Sequence, residues 1–181
     1  NGFVDDFRGW DFTDMVGFPY DSTAGDYLEW DNDPYDDIEN SFNAAGHGTQ
    51  VAGVIAAEQN NLFGISGAAP NVKVLNIRSF SPEGTGQEDD AAAAILYAIK
   101  MGAKVINMSW GDYSFSYVLR DVIRYAYSQN IVLIASAGNR NSDQPHYPSG
   151  YSEVISVSGT NSEDFLAGYN WGSTIDLVAP A

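Results

Sequence analysis

Apolar residues fall in short blocks along the chain, and their spacing changes from block to block. "VAGVIAA", just after Gly46, is small and uniformly apolar, so it predicts a buried helix packed closely through Gly53. "KVLNIRSF" (73–80) predicts a strand. "EDDAAAAILYAIKMG" (88–102) predicts a helix, with acids in its first turn, Lys100 near its end and Gly102 at its stop. "KVINMSW" (104–110) predicts a second strand. "FSYVLRDVIRYAYSQN" (115–130) has helical apolar spacing at Val118, Leu119, Val122, Ile123 and Ala126. "IVLIASAGN" (131–139), "VISVSGTN" (154–161) and "IDLVAPA" (175–181) predict further strands. Residues 1–46 show no sustained period and read as loop with one short strand.

Three of these strands are nearly continuous apolar runs, and helices separate the earlier ones. Parallel strands covered on both faces have this texture, which predicts an α/β sandwich with right-handed crossovers. Such sheets bind ligands beyond the carboxyl ends of their strands. Ser109, Ser136 and Asn139 end strands and therefore fall on that edge. The length, 181 residues, suits one domain.

Charge changes the picture. The net charge is −16, from 24 acids against 8 lysines and arginines. Nucleic acid and anionic membranes attract the opposite sign, so neither is an expected partner. Twelve of the acids precede residue 40, where Arg8 is the one basic residue. An excess of this sign favours solubility, cation binding and an extracellular or salty setting. No apolar run approaches the ~18 residues of a membrane span. There is no cysteine, which excludes disulfides, thiolate metal sites and a cysteine nucleophile. The opening "NGFVDDFRGWDF" has no signal-peptide character and reads as the interior of a longer protein.

Three short segments carry candidate chemistry. His47 stands between two glycines at a helix start, where the dipole disfavours imidazolium; a general base there wants an acid partner. Taken alone, His47 reads more readily as a structural imidazole. Asn139, in "ASAGN", places a side-chain N–H beyond a strand, where it is able to bind a developing oxyanion. Taken alone it reads as a turn asparagine. "NMSWG" (107–111) offers backbone beside which an extended peptide can add as a strand.

In their order along the chain, "GHGTQVAGVIAA", "GISGAAP", "VLNIRSF", "NMSWG", "ASAGN", "YPSGYSEVISVSGT" and "STIDLVAPA" resemble the subtilisin-like serine proteases. The likeness runs from Gly46 to Ala181, behind an acidic lead-in over 1–46. It implies a single, partial catalytic domain over 1–181. The implied fold is a three-layer sandwich, a mostly parallel sheet flanked by helices, incomplete at both ends. It implies a serine endopeptidase that hydrolyses peptide bonds through an acyl-enzyme. By the resemblance, His47 is the general base and Asn139 the oxyanion-hole side chain. Substrate backbone lies between Gly84, Thr85 and Gly86 on one side and Ser109, Trp110 and Gly111 on the other. Ser136, Ala137 and Gly138 wall the pocket for the side chain before the scissile bond.

The chain departs from the family pattern in several places. Gln50 stands where a second histidine is common, and Trp110 where smaller residues are frequent. The approach "DDIENSFNAAGHGT" is longer than usual and implies an extra surface loop. The family's aspartate strand, which lies between the strands matching "VLNIRSF" and "VINMSW", has no counterpart here, nor does its "GTSMA"-type serine segment. The chain alone is therefore expected to be inactive, and a second chain carrying those segments is an expected partner besides a peptide or protein substrate. The alternative is a non-catalytic peptide-binding or regulatory domain that keeps the cleft.

Calcium is the expected cofactor, in a structural role. Asp31, Asp33, Asp36 and Asp37 crowd within "DNDPYDD", and a hard cation relieves their repulsion. Asn61, in "EQNNLFGIS", matches a second calcium loop of the family. His146 reads as a surface-loop residue, and Trp10, Trp30, Trp110 and Trp171 as core or cleft wall. Secretion is the expected destination.

Overall fold

The computed structural model describes residues 2–3, 5–14, 30–35, 46–81, 83–166 and 168–181. They divide into two compact units, 1–94 and 95–181.

The first unit carries β1 (Trp10–Asp11), α1 (His47–Ala56) and β2 (Ile77–Arg78), and α2 (Glu88–Lys100) begins in it. β1 pairs with β2 in parallel, Trp10 opposite Ile77 and Asp11 opposite Arg78. A buried ion pair closes this ladder: Arg78 Nη1 lies 2.8 Å from Asp11 Oδ2. Burial pushes the Asp11 carboxyl above its usual range, while Arg78 and the amide of Thr13 pull it down. The predicted strand over 73–80 thus shrinks to the two residues that β1 pairs with.

α1 departs further from expectation. It forms where the apolar run predicts a helix, but none of its residues is buried, and Val54 is 63% exposed. A Cβ at Gly53 would meet nothing within 4 Å, so no close packing passes through it. An apolar run shows that a helix wants cover. It does not show what covers it, and the described residues of this unit do not.

α2 agrees with its sequence. Glu88, Asp89 and Asp90 complement the positive end of the helix, Lys100 the negative end. Gly102, at φ 81°, takes the left-handed turn that ends it. Asp90 is fully buried and accepts from Trp30 Nε1 at 3.3 Å.

The second unit holds a four-stranded parallel sheet in the order β3 (Val105–Met108), β4 (Val132–Ser136), β5 (Ile155–Thr160), β6 (Leu177–Pro180). α3 (Tyr117–Ser128) crosses between β3 and β4. Ser116 caps α3 by accepting from the Leu119 amide at 2.9 Å. Leu119, Ile123 and Ala126 form its buried stripe. They meet Met108, Leu133 and Ala135 of the sheet and Ile95 of α2 in one core. The opposite sheet face is uncovered within this unit: Val105, Val132 and Leu177 are 55%, 44% and 58% exposed. Among the described residues β2 belongs to the two-stranded ladder with β1 and β3 to the four-stranded sheet.

Asp90 gives the fold a pH dependence. Burial, then the charges of Asp14 and Asp89, push its carboxyl from 3.8 up to about 6, against the hydrogen bond from Trp30. The folded state therefore holds this proton more tightly than the unfolded chain, and stability falls as pH rises from about 4 to about 6. Asp90→Asn removes the charge. It is expected to gain about 1–3 kcal/mol over the wild type at pH 7 and nothing below pH ~4, measured by urea unfolding across pH. A gain that does not change with pH would contradict this.

Candidate active site

β3 and β4 are adjacent and parallel, Met108 opposite Ala135, so their carboxyl ends lie side by side. A cavity of about 340 Å³ opens at those ends. Ser109, Trp110 and Gly111 follow β3 on one wall; Ser136 ends β4, and Gly138 and Asn139 follow it, on the other. These are six of the residues that the sequence selects, gathered from two segments at the predicted sheet edge. Ala137, buried just behind, points its carbonyl at Asn170 Nδ2, 2.7 Å away. Of the tryptophans, Trp110 is a wall as expected, while Trp30 and Trp171 are each 44% exposed rather than core.

Asn139 is exposed, and among the described residues its side chain has no hydrogen-bond partner. What fixes it is the backbone on either side. Asn170 is 1% exposed and ties that backbone down. Its Oδ1 accepts from the amides of Arg140 (2.9 Å) and Ser142 (3.3 Å). Its Nδ2 donates to the Ala137 carbonyl (2.7 Å) and to the Tyr113 hydroxyl (2.8 Å). Its own amide donates to the Gly138 carbonyl at 2.9 Å. Gly138, at φ 97°, sits in a region that favours glycine, and a Cβ there would lie 2.7 Å from Asn170 Nδ2.

His146 corrects the sequence reading. It is 8% exposed and lines the cavity; it is not a surface-loop residue. Its Nδ1 donates to the Ser136 carbonyl at 3.0 Å, which accepts only, so this nitrogen carries the hydrogen. The Tyr113 ring meets its edge with centroids 5.1 Å apart. Glycines make the slot it fills. A Cβ at Gly111 would come within 2.5 Å of His146 Cε1, and one at Gly138 within 3.1 Å of Cδ2. Nothing in the short loop "DQPHYPSGY" shows this, because the burying residues come from other segments. Asn170 and Tyr113 were likewise outside the sequence selection.

The remaining predicted residues belong to the first unit. His47 is the first residue of α1, after Gly46 at φ 76°, and is exposed. Among the described residues no hydrogen-bond partner or carboxylate engages it. Gly84, Thr85 and Gly86 form a turn before α2. The Ser81 amide donates to the Thr85 carbonyl (2.8 Å) and the Gly84 amide to the Ser81 carbonyl (2.9 Å). Gly86 lies against Phe80, whose ring a Cβ would reach at 2.7 Å.

For the metal candidates, Asp36 and Asp37 and the long approach to His47 lie outside the described residues. Asp31 Oδ1 accepts from the Asp33 amide at 2.7 Å, and Asn61 Oδ1 from the Phe63 amide at 3.0 Å. Both side chains thus serve local turns. Among the described residues no three carboxylate or imidazole groups gather as a metal would need.

Comparison with known proteins identifies the family and the fold. Residues 11–181 match the subtilase family, Peptidase S8. The chain is 40% identical to the Thermophilic serine proteinase of Bacillus sp. (strain AK1) over 150 residues, 81% of this chain and 37% of that protein. It is 38% identical to Thermitase of Thermoactinomyces vulgaris over 139 residues, 76% of this chain and 50% of that protein. It therefore spans between about a third and a half of these relatives. Among solved structures, it superposes on the psychrophilic subtilisin-like protease Apa1 from the Antarctic psychrotroph Pseudoalteromonas sp. AS-11. The TM-score there is 0.70 at 32% identity, covering 77% of this chain and 33% of that one.

Removing the Asn170 side chain would leave buried donors and acceptors without partners. Asn170→Ala is expected to cost about 3–5 kcal/mol in denaturant unfolding. A loss below about 1 kcal/mol would contradict the tie described here.

Proposed function

The chain belongs to the subtilase family, and we propose that it is the part of a serine endopeptidase that carries the base, the oxyanion amide and the peptide cleft. The observation that carries this reading is the convergence of Ser109, Trp110, Gly111, Ser136, Gly138 and Asn139 on one cavity at adjacent strand ends. A peptide laid beside Ser109–Gly111 places its side chain in that cavity and its carbonyl near Asn139. As the carbonyl oxygen gains charge, the Asn139 N–H stabilises it; because Asn170 already holds the loop, little reorganisation is required. His47 takes the proton from a serine and returns it to the leaving amine. For Gly84, Thr85 and Gly86 the role in binding substrate backbone rests on the family resemblance alone. The serine and its aspartate partner are not among these residues on this reading, so the chain by itself forms no acyl-enzyme.

A second reading, a peptide-binding domain without catalysis, draws on the cleft itself, which needs no triad to hold an extended peptide. Kinetics separates the two. In the full-length protein, Asn139→Ala should lower kcat by about 10²–10³-fold with KM little changed, the range known for removing such a donor in a subtilisin. The isolated chain should take no fluorophosphonate label. An unchanged kcat would remove the endopeptidase reading, and a labelled isolated chain would show that these residues hold an activated serine of their own.

Calcium binding and secretion belong to the same proposal. Asp31 and Asp33 supply oxygen donors of the kind calcium takes, and the charge of −16 favours a cation. They would need ligands beyond the described geometry, and no chemical step runs through the ion. Millimolar calcium is expected to raise the melting temperature relative to the same protein in chelator. Identical melting curves would dismiss the ion.

A further inference from the structure

We propose that the cavity selects a substrate side chain ending in a carboxylate, with Arg140 as its charged anchor and Tyr113 as a second donor. The proposal rests on the peptide-cleft reading and adds the class of side chain that the cleft accepts.

Cations are scarce here, 8 against 24 acids, and most of the described arginines are spoken for. Arg78 pairs with Asp11, Arg120 with Asp121 and Arg124 with Glu153. Arg140 lines the cavity and has no ion-pair partner among the described residues. Its guanidinium stacks 4.7 Å above the Tyr113 ring, and its amide is fixed by Asn170 at 2.9 Å. Both contacts hold the cation in place before a ligand arrives, which lowers the entropy that binding must overcome. The Tyr113 hydroxyl accepts from Asn170 Nδ2 at 2.8 Å, so its own hydrogen is free to donate.

The other walls favour the same ligand. His146 fills the slot between Gly111 and Gly138, so an imidazole and not an aliphatic side chain lines that part of the cavity. One charge opposes the proposal. Asp112 also lines the cavity, but its Oδ1 already accepts from the amides of Tyr113 and Ser114. Two backbone donors offset part of its field. A lysine side chain would meet Arg140 repulsively. A neutral amide oxygen would accept from Arg140 but carries no opposite charge, so it forgoes the ion pair and the bidentate carboxylate geometry.

The test reads affinity, not turnover. Acetylated tetrapeptide amides ending in Glu or in Gln are titrated into the chain, following the Asn139 and Arg140 amide resonances. The Glu peptide is expected to bind about tenfold more tightly at low salt. Arg140→Gln should bring the ratio to about one, Arg140→Lys should keep part of it, and Asp112→Asn should widen it. Equal affinities, no binding of either peptide, or a ratio indifferent to Arg140→Gln would overturn the proposal. Should the full-length protein cleave no peptide, the endopeptidase reading falls while this ratio still decides the side-chain class.

Discussion

The buried amide of Asn170 is the constraint on which the cavity depends. Its two ends satisfy two donors and two acceptors from the Asn139 loop and the Tyr113 turn. A carboxylate of the same shape cannot do this, since it accepts but does not donate. An aliphatic side chain would leave all four groups without this partner, the Ala137 carbonyl in a buried place. The loop after β4 therefore has one satisfactory arrangement. Asn139 has no local tie of its own, yet it inherits a fixed position from the residues on both sides. An oxyanion donor is effective to the degree that it needs no rearrangement when charge appears.

Glycine does the complementary work on the walls. Gly138 lets the Asn170 amide and the His146 ring approach the same backbone, and Gly111 lets the ring's other face approach the segment after β3. The imidazole is then a filler of fixed depth, held by the Ser136 carbonyl. Arg140, one residue past the oxyanion amide, lies at the mouth over Tyr113. Cavity shape and charge thus come from the same few residues that set the loop.

Much of this was legible in the sequence, and what was not has a common cause. α2 announces itself by the charges at its two ends, and α3 by the Ser116 cap and its apolar period. The strands of the larger sheet show in their apolar runs, and the cavity opens at the ends of two of them. The family motifs picked both walls of the cavity. The exposure of α1 was not legible, because a run such as "VAGVIAA" records a demand for cover and not its supplier. His146 looked like a loop residue because the glycines that bury it belong to other segments. Asn170 looked like any polar residue before a strand. Side chains that bridge segments carry no local period, so only their neighbours in space reveal them.

Hydrogen exchange of the loop amides tests the central claim most directly. The Arg140 and Ser142 amides lie in an exposed loop, yet each donates to a buried carbonyl oxygen of Asn170. The account predicts that both exchange slowly, at rates near those of the β4 core, while the Asn139 side chain stays solvent-accessible. Exchange as fast as in an unstructured loop would show that the amide of Asn170 does not hold this backbone, and the preorganised oxyanion site would fall with it.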